Sequence, residues 1–377
     1  MSLQQAVLSQ PDSDVILASN FGECEHIKRV VSGIEGVILI DITGNYYYYY
    51  HHFIIILNIK LIITIAIESA RTKEFKNLSH NMFSTDGGAE LWLTSASRFF
   101  HLEDIMITHN FTEMIHVEAD NLLYGRLSSL LTTFRTGYPT LAATPLNANK
   151  SFITASVMWI ASIDAMKMLC NYFLDLGRNY QGAWDRYLKW MRHYGCCKHG
   201  GVAADEHGQG LKPFSINEMS MLAYFHELHP KNFTLLPVVP KHDYYINRYV
   251  INMSLFGPGG HEVGPMTGNG IWDPNSWGQY LGGTHSKKAR DRKFTDPSHI
   301  AGQAMRLNPC RPSMECANRS LSSTFARIPN SSYDCVTAPF VRCGNPGQEG
   351  EWTLLWNLHV HSKLTDEWRS RPCVCKD

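Results

Sequence analysis

The feature that most constrains the fold is a regular alternation of short apolar runs with segments of helical periodicity. Runs such as DVILASNF (14–21), GVILID (36–41) and FITASVMWIA (152–161) are typical of buried strands. Segments such as ELWLTSASRFFHLEDIM (90–106) and IDAMKMLCNYFLDL (163–176) repeat their apolar residues at helical spacing. This alternation predicts an α/β fold, in which an open mixed sheet is flanked by helices on both faces.

The alternation weakens in the second part of the chain. Further elements are predicted as strands over 114–120, 140–146 and 234–240 and as helices over 122–134 and 216–228. Beyond about residue 241, Gly, Pro, Asn and His interrupt the pattern and loops dominate. We therefore predict an α/β core over 1–240 and a Cys-rich, loop-rich C-terminal part over 241–377 that packs on the same core.

Residues 44–67, GNYYYYYHHFIIILNIKLIITIAI, form a low-complexity insert in the predicted core. Its apolar run from Phe53 to Ile67 contains Asn58 and Lys60 and is shorter than the ~20 residues that a membrane helix needs, so we expect no membrane span. Its β-branched residues make a strand the default prediction. Because its residue types are those of AT-rich codons, we hypothesise that the insert is a translated, unspliced intron.

Charge and composition exclude two classes of protein. The chain has 34 Lys and Arg against 34 Asp and Glu, so its formal charge is zero. Without a basic field to attract phosphates, we expect no nucleic-acid partner. The apolar fraction of 44% is enough for a substantial core, which argues against a disordered chain.

Cysteines and glycosylation sequons indicate an oxidising compartment. The chain has ten cysteines, and its tail contains Cys310, Cys316, Cys335, Cys343, Cys373 and Cys375. No pair has CxxC spacing, so disulfides are favoured over a zinc site, which stays the alternative. Sequons begin at Asn77, Asn110, Asn149, Asn232, Asn252, Asn318 and Asn330. We therefore expect a glycoprotein of the secretory pathway or Golgi lumen.

The N-terminal residues do not support a secretory location. MSLQQAVLSQPDSD has no basic region followed by an apolar stretch and is not a signal peptide. Either the protein is cytoplasmic or a leader precedes this start, and both interpretations stay open.

The segment HVEADN, 116–121, carries Glu118 and Asp120 to the end of a predicted strand. Residues two apart in a strand point the same way, and ligands bind at the carboxyl edge of an open α/β sheet. Two carboxylates there can hold a divalent cation such as Mn²⁺ or Mg²⁺. The alternative is that these acids cap the next helix.

The segment NLHVHSK, 357–363, places His359 and His361 on one side of a predicted strand. Imidazole is a suitable ligand for Mn²⁺ or Zn²⁺. The alternative is a pair of histidines that only make hydrogen bonds. Lys363, at the end of this segment, is a candidate substrate-binding residue.

The segment INEMSML, 216–222, places Glu218 in the first turn of a predicted amphipathic helix. The helix macrodipole favours a carboxylate there, which is a sufficient structural reason for the residue. A carboxylate at the mouth of the sheet can also act as a general base toward a sugar hydroxyl.

The segment WDPNSWGQYLGGT, 272–284, is followed by a basic run over 287–293 that can clamp a diphosphate, although a solvated charged loop is the alternative. Small residues here allow the backbone to approach a ligand closely. The candidate substrate-binding residues are Gly278, Gln279, Tyr280, Gly282, Gly283, Lys287, Lys288 and Lys363. The rings of Trp272, Trp277 and Tyr280 either pack against substrate or fill the core.

The order of these motifs resembles that of the GT-A nucleotide-sugar glycosyltransferases. The resemblance runs from about residue 14 to 363, excluding the insert, and its most specific parts are the acidic strand end, GQYLGG and NLHVHSK. It implies a GT-A-like, Rossmann-like sheet that binds a nucleotide sugar. Glu118 and Asp120 match the family's metal motif, although Glu replaces its first Asp, and His359, with His361 as the alternate, matches its late histidine. Glu218 matches the catalytic base of inverting members.

The resemblance therefore implies a glycosyltransferase that moves a sugar from a nucleotide-diphosphate donor to a hydroxyl of a carbohydrate or glycoconjugate, with Mn²⁺ or Mg²⁺ as cofactor. A metal-dependent phosphoesterase and a non-catalytic sugar-binding protein are the alternatives. The chain contains no GxGxxG, P-loop, HExxH or GxSxG motif, which argues against several other enzyme classes. Donor, acceptor, stereochemical course and oligomeric state stay open.

Overall fold

The computed structural model describes residues 7, 10, 14–19, 34, 37–41, 52–56, 64–65, 69–79, 82–83, 89–118, 121–125, 127–147, 151–194, 216–239, 270–274, 276–282, 299–302, 310–318, 335–342 and 352–359. The strands are β1 (Asp14–Ser19), β2 (Val37–Asp41), β3 (His52–Ile56), β4 (Thr64–Ile65), β5 (Met114–Glu118), β6 (Asn121–Leu123), β7 (Leu141–Pro145), β8 (Ile153–Ile160), β9 (Phe233–Leu235), β10 (Gly270–Ile271), β11 (Arg311–Asn318), β12 (Cys335–Arg342), β13 (Trp352–Leu355) and β14 (Asn357–His359). The helices are α1 (Ala70–Ser79), α2 (Ala89–His109), α3 (Leu131–Gly137), α4 (Ile163–Gly177), α5 (Ala183–Tyr194), α6 (Glu218–Leu228) and α7 (Trp277–Gly282), with 3₁₀ turns at Leu127–Leu130 and Tyr180–Gly182.

The main sheet has eight strands in the order β4-β2-β1-β3-β5-β8-β7-β9. β3 and β8 run antiparallel to both of their neighbours, whereas the other six strands share one direction. The predicted mixed α/β architecture is therefore confirmed. Because six strands share a direction, their carboxyl ends lie along one edge of the sheet.

Alternating side chains of the sheet enter two separate cores. In β1, Ile16 belongs to the core on one face, whereas Val15 and Leu17 belong to the core on the other. In β8, Met158 and Trp159 divide in the same way. Both faces of the sheet are therefore covered, which explains why its central strands are apolar on both sides.

Residues beyond 241 contribute to both cores. Ile271, Trp277 and Leu358 pack in the first core, and Trp272 and Trp356 pack in the second. Two smaller sheets lie in this region, one with the order β10-β13-β12-β11 and one formed by β6 and β14. The β6–β14 pair joins the early part of the chain to its end, since Leu122 pairs with Leu358.

Most of the predicted elements are present. The predicted helix over 122–134 is wrong at its start, because Asn121–Leu123 forms β6 and helical structure begins only at Leu127. The tertiary pairing with β14 overrides the local helical periodicity there. The strand predicted over 234–240 is limited to Phe233–Leu235.

The low-complexity insert contributes two strands, as its β-branched residues predict. β3 lies between β1 and β5, and β4 pairs with β2 at the edge of the sheet. Pairing alone does not test whether the segment is a translated intron, so this hypothesis stays a prediction.

Two further predictions concern disulfide bonds in the tail and the absence of a membrane span. Cys310 is disulfide-bonded, which agrees with paired cysteines in the tail, and Cys170 is a buried free thiol. Among the helices in the described ranges, none is long and apolar enough to cross a membrane.

Candidate active site

Three residues that the sequence singled out come together from distant parts of the chain. Glu118 ends β5, Glu218 begins α6 and His359 ends β14. Arg98, from α2, contacts both glutamates, and Nε2 of His359 lies 3.7 Å from Oε2 of Glu118. We call these four residues the Arg98 cluster.

Arg98 holds the two carboxylates together. Its Nη1 donates to Oε1 of Glu118, and its Nη2 donates to Oε1 of Glu218 at 3.0 Å. Its side chain is only 3% exposed, and its Nε donates to the carbonyl oxygen of Ser95 at 2.7 Å. A guanidinium presents its donors in a rigid plane, so one arginine can fix two carboxylates at once.

Local sequence explains why α6 begins at Glu218. The side chain of Asn217 accepts a hydrogen bond from the backbone N–H of Ser220 at 2.9 Å, and Oγ of Ser220 accepts one from the backbone N–H of Asn217 at 3.3 Å. This capping box ends the preceding loop and places Glu218 in the first turn, as predicted. The macrodipole favours negative charge at that position.

The environment of Glu218 suits a proton acceptor. Burial raises its pKa from 4.5 to about 7, Arg98 opposes this rise, and Glu118 adds to it. Its Oε2 atom is buried and has no hydrogen-bond partner among the described residues. A carboxyl group with a pKa near neutrality can take and return a proton at physiological pH.

Glu118 and His359 provide two donors of the kind that a divalent cation needs. Arg98 contacts Oε1 of Glu118, whereas Oε2 faces the imidazole of His359. A carboxylate oxygen and an imidazole nitrogen both suit Mn²⁺. No group of three or more His, Cys, Asp or Glu side chains within the described ranges is arranged to hold a metal. Asp120 and His361 lie outside those ranges, so the described pair fits only part of a cation site.

Asp273, which the sequence analysis did not single out, joins α7 to β14. Its Oδ1 accepts from the backbone N–H groups of Ser276 and Trp277 at 2.8 and 2.9 Å. Its Oδ2 accepts from those of Gly278 and His359 at 2.8 and 2.9 Å. Burial raises the pKa of Asp273, whereas these hydrogen bonds and His359 favour its charged form. The aspartate therefore fixes the backbone from which His359 projects.

Two buried amides extend this connection to β5. Nδ2 of Asn357 donates to Oδ1 of Asn121 at 2.6 Å, and its Oδ1 accepts from the backbone N–H of Asp273 at 2.9 Å. Nδ2 of Asn121 donates to the carbonyl oxygens of Glu118 and Ser156 at 3.3 and 3.2 Å. The backbones that carry the site residues are thus connected through fully buried side chains.

Gly278 lies against the backbone of His359. A Cβ atom at this position would be 2.2 Å from the carbonyl oxygen of His359 and 2.8 Å from Oδ2 of Asp273. Packing alone therefore requires glycine here, and a contact between Gly278 and substrate stays a prediction.

The other predicted residues divide into two groups. Gln279, Tyr280 and Gly282 belong to α7, and their contact with substrate stays a prediction. Outside the described residues lie Gly283, Lys287, Lys288 and Lys363, together with the basic run over 287–293.

The two tryptophans fill the core. Trp272 and Trp277 are both buried, and Nε1 of Trp277 donates to the carbonyl oxygen of Val238 at 2.9 Å. Of the two interpretations, core packing is therefore the correct one for these rings.

Sequence signals exist for the two residues that were missed. Arg98 is a single cation within the apolar helical segment SASRFF. Asp273 precedes a proline, and an Asp-Pro pair favours the start of a turn. Neither signal indicates the long-range partners, because the two glutamates that Arg98 binds lie 20 and 120 residues away and the His359 backbone lies 86 residues from Asp273.

The chain matches no known family model, no curated protein and no solved structure. Its resemblance to the GT-A glycosyltransferases therefore rests on its motifs, and the function proposed below rests on the geometry of the Arg98 cluster.

Proposed function

We propose that the protein is a divalent-metal-dependent glycosyltransferase that moves a sugar from a nucleotide-diphosphate donor to a hydroxyl acceptor. The observation that supports this most strongly is the pairing of Glu218 with Glu118 by one buried arginine. The proposed base and an acidic strand end, which are 100 residues apart in the sequence, are thus bound by one arginine.

Glu218 is the proposed catalytic base. Oε2 of Glu218 is buried, so the acceptor hydroxyl must reach it by opening the site as it binds. It then donates a hydrogen bond to Oε2, and its proton moves to this carboxylate while its oxygen bonds to the anomeric carbon. The bond between that carbon and the donor diphosphate breaks, and the nucleoside diphosphate leaves with the electron pair. This in-line course gives inversion.

Glu118 and His359 are the proposed protein ligands of the cation, with Asp120 as the expected additional carboxylate. A bound Mn²⁺ or Mg²⁺ supplies Lewis-acid neutralisation of the leaving diphosphate. Arg98 keeps Oε1 of Glu118 in place and so leaves Oε2 directed toward His359.

The test is a panel of nucleotide sugars incubated with the full chain and Mn²⁺. We expect nucleoside diphosphate to be released slowly from one donor and faster when its acceptor is present. Glu218→Gln should still bind that donor but should lose transfer. Glu227→Gln, an exposed glutamate on the same helix, is the matched control and should retain wild-type turnover.

Two outcomes would contradict the proposal. One is that no donor of the panel binds. The other is that Glu218→Gln and Glu227→Gln turn over at the same rate. Release of a nucleoside monophosphate and a sugar 1-phosphate, with no sugar transferred, would favour the phosphoesterase instead.

A further inference from the structure

A concave site lies on the helical side of the molecule, apart from the Arg98 cluster. It is a cleft of about 510 Å³ bounded by α4, the start of α5, the end of α6 and the 3₁₀ turn Tyr180–Gly182. Its lining includes the rings of Tyr172, Tyr180 and Tyr224. No residue of the Arg98 cluster lines it. Glu218 and Leu228 are at opposite ends of α6, about 15 Å apart at the usual helical rise.

The turn beside this cleft has an uncommon backbone. Asn179, Gln181 and Gly182 have φ values of 49°, 50° and 74°, all in the left-handed region. That conformation is unfavourable for a residue such as glutamine and persists only where the surroundings fix it. Here Oδ1 of Asn179 accepts from the backbone N–H of Trp184 at 2.9 Å, and Nη1 of Arg186 donates to the carbonyl oxygen of Gln181.

This turn carries an exposed aromatic ring, Tyr180, beside the cleft. Tyr180 is 56% exposed, although large apolar rings are usually covered, and it lies on the edge of the cleft. Tyr172 lines the interior, and its hydroxyl donates to the carbonyl oxygen of Met221 at 2.9 Å. One ring is thus presented to solvent, and another is held by the core.

The charges of the cleft balance. Its lining has two acids, Asp164 and Asp175, and two bases, Lys167 and Arg186. Lys167 lies 3.8 Å from Asp164, and Asp175 lies 4.0 Å from Arg178. Burial lowers the pKa of the remaining imidazole, His229, which favours its neutral form. A charged ligand therefore meets no net opposite charge here.

Several planar polar groups also line the cleft. Asn171 and Gln181 carry amides, Asp175 a carboxylate and Arg186 a guanidinium. Oδ1 of Asn171 accepts from Nη2 of Arg71 at 2.8 Å, and Nη1 of Arg186 donates to Gln181. A hydroxyl-bearing ligand would therefore meet Nδ2 of Asn171, the carboxylate of Asp175 and the other donors of Arg186. An aromatic face combined with such groups matches a ligand that has an apolar ring face and a rim of hydroxyls.

We propose that this cleft binds a neutral oligosaccharide, with one sugar ring stacked on Tyr180 and its hydroxyls hydrogen-bonded to Asn171, Asp175 and Arg186. The site is separate from the Arg98 cluster and binds sugar whether or not Glu218 catalyses transfer.

The test is titration of the full chain with defined neutral trisaccharides of glucose, mannose, xylose and N-acetylglucosamine, followed by calorimetry or NMR. We expect saturable binding of at least one of them. Tyr180→Ala should weaken it by about tenfold, as loss of an aromatic anchor does. Tyr180→Phe, which keeps the ring, should bind within about twofold of wild type. Since Tyr180 is exposed, its replacement should leave the fold intact.

A control variant separates this site from others. Ile107→Ala removes an apolar side chain that is 50% exposed on α2, outside the cleft lining, and should bind as wild type does. The cleft shares no lining residue with the Arg98 cluster, so the dependence of trisaccharide binding on Tyr180 is measurable even if the proposed transfer reaction is wrong, and the two proposals fail separately.

Three results would overturn the inference. The first is the absence of saturable binding of every neutral trisaccharide. The second is equal binding by Tyr180→Ala and wild type. The third is tighter binding of a sulfated trisaccharide than of its neutral counterpart, because it would show that the cleft selects charge.

Discussion

Glu218 is the residue whose ionisation should control the pH dependence of the proposed reaction. Burial raises its pKa to about 7, and a general base must be ionised to accept a proton. Transfer should therefore rise with pH through about 7 and level off above about 8, provided that metal binding is saturated. The pH profile of kcat, measured with saturating donor and Mn²⁺, checks this. A profile that is flat from pH 6 to 8 would remove Glu218 as the base.

The same shift has a consequence for stability. The folded-state pKa of about 7 lies above the ordinary value of 4.5, so between these values the folded protein holds a proton that the unfolded chain has lost. The unfolded chain then binds fewer protons, so the contribution of this group to stability falls as pH rises from 4.5 to about 7. Above that window it is constant. In Glu218→Gln this contribution should be absent, which urea unfolding at several pH values can measure.

Arg98 should matter for both the fold and the site. Arg98→Met leaves Glu118 and Glu218 without their shared cation, and removing one partner of a buried ion pair typically costs ~3–5 kcal/mol. Arg98→Lys keeps the charge but cannot reproduce the two-pronged contact, so its loss should be smaller. Urea unfolding at pH 8 checks both variants.

A second substitution distinguishes charge from packing at Arg98. In the double variant Arg98→Met with Glu218→Gln, one of the two unpaired carboxylates is gone. The double variant should therefore be more stable than the sum of the two single changes implies. Strict additivity would mean that Arg98 acts mainly through its aliphatic packing.

At the scale of single elements, α7 lies close to β14 because Gly278 has no side chain. Gly278→Ala would introduce a Cβ 2.2 Å from a backbone oxygen of His359, and neither α7 nor β14 can move without breaking hydrogen bonds to Asp273. We expect a loss of about 3 kcal/mol or more and a displaced His359, since overpacking against backbone is not easily relieved. Thermal unfolding and Mn²⁺ titration measure the two effects.

Gly182→Ala is the control for this substitution. A Cβ there would have ordinary contacts of 3.8 and 3.9 Å, and only its φ of 74° is unfavourable for alanine. Its cost should be the conformational ~1–2 kcal/mol alone, with Mn²⁺ binding unchanged. If both variants behave alike, the contact of Gly278 with His359 has no special importance.

At the scale of the whole molecule, β3 separates two strands that could pair directly. β1 and β5 run in the same direction on either side of it, and Val15 and Ile115 are both aligned with Ile55. Val15 and Ile115 also belong to the same core, so direct pairing would not change which face each side chain occupies. Deletion of 44–67 would leave only Ile42, Thr43, Glu68 and Ser69 between β2 and α1, within the usual ~2–6 residues for such a connection.

The deletion would also create a switch point at the carboxyl edge of the sheet. With 44–67 removed, β1 and β5 would be neighbours in the order β2-β1-β5-β8-β7-β9. The chain would then continue from β1 to β2 on one side and from β5 toward β8 on the other. Open α/β sheets bind ligands at such a switch point. Glu118 lies at the end of β5. We therefore expect the deletion variant to unfold cooperatively at the same or a higher temperature and to bind nucleotide sugar more tightly.

One result would contradict this prediction, and another would remove the hypothesis behind it. The deletion variant could be insoluble or unfolded while the full chain is folded, which would make β3 an essential strand. Alternatively, mature transcripts could run continuously through the codons for 44–67, which would remove the intron hypothesis.

The sequence by itself determined the elements with strong local patterns. The buried strands β5 and β8 were evident from their apolar runs, and α2, α4 and α6 from helical periodicity. These signals survive because an element that is buried on one or both faces must carry a matching pattern wherever it lies. The start of α6 at Glu218 was predictable for the same reason, since its capping residues are neighbours in the chain.

Only the tertiary structure decided which of these elements meet. β6 was mistaken for helix because its partner, β14, lies more than 230 residues away, and pairing with a distant strand leaves no local pattern. The contacts of Arg98, Asp273 and Gly278 with distant elements leave no local pattern for the same reason. Each contact involves a carboxylate or backbone group that is distant in the sequence. The energy of a buried charge, and the room for a side chain beside a backbone, depend on the groups packed around them and not on the adjacent residues in the sequence.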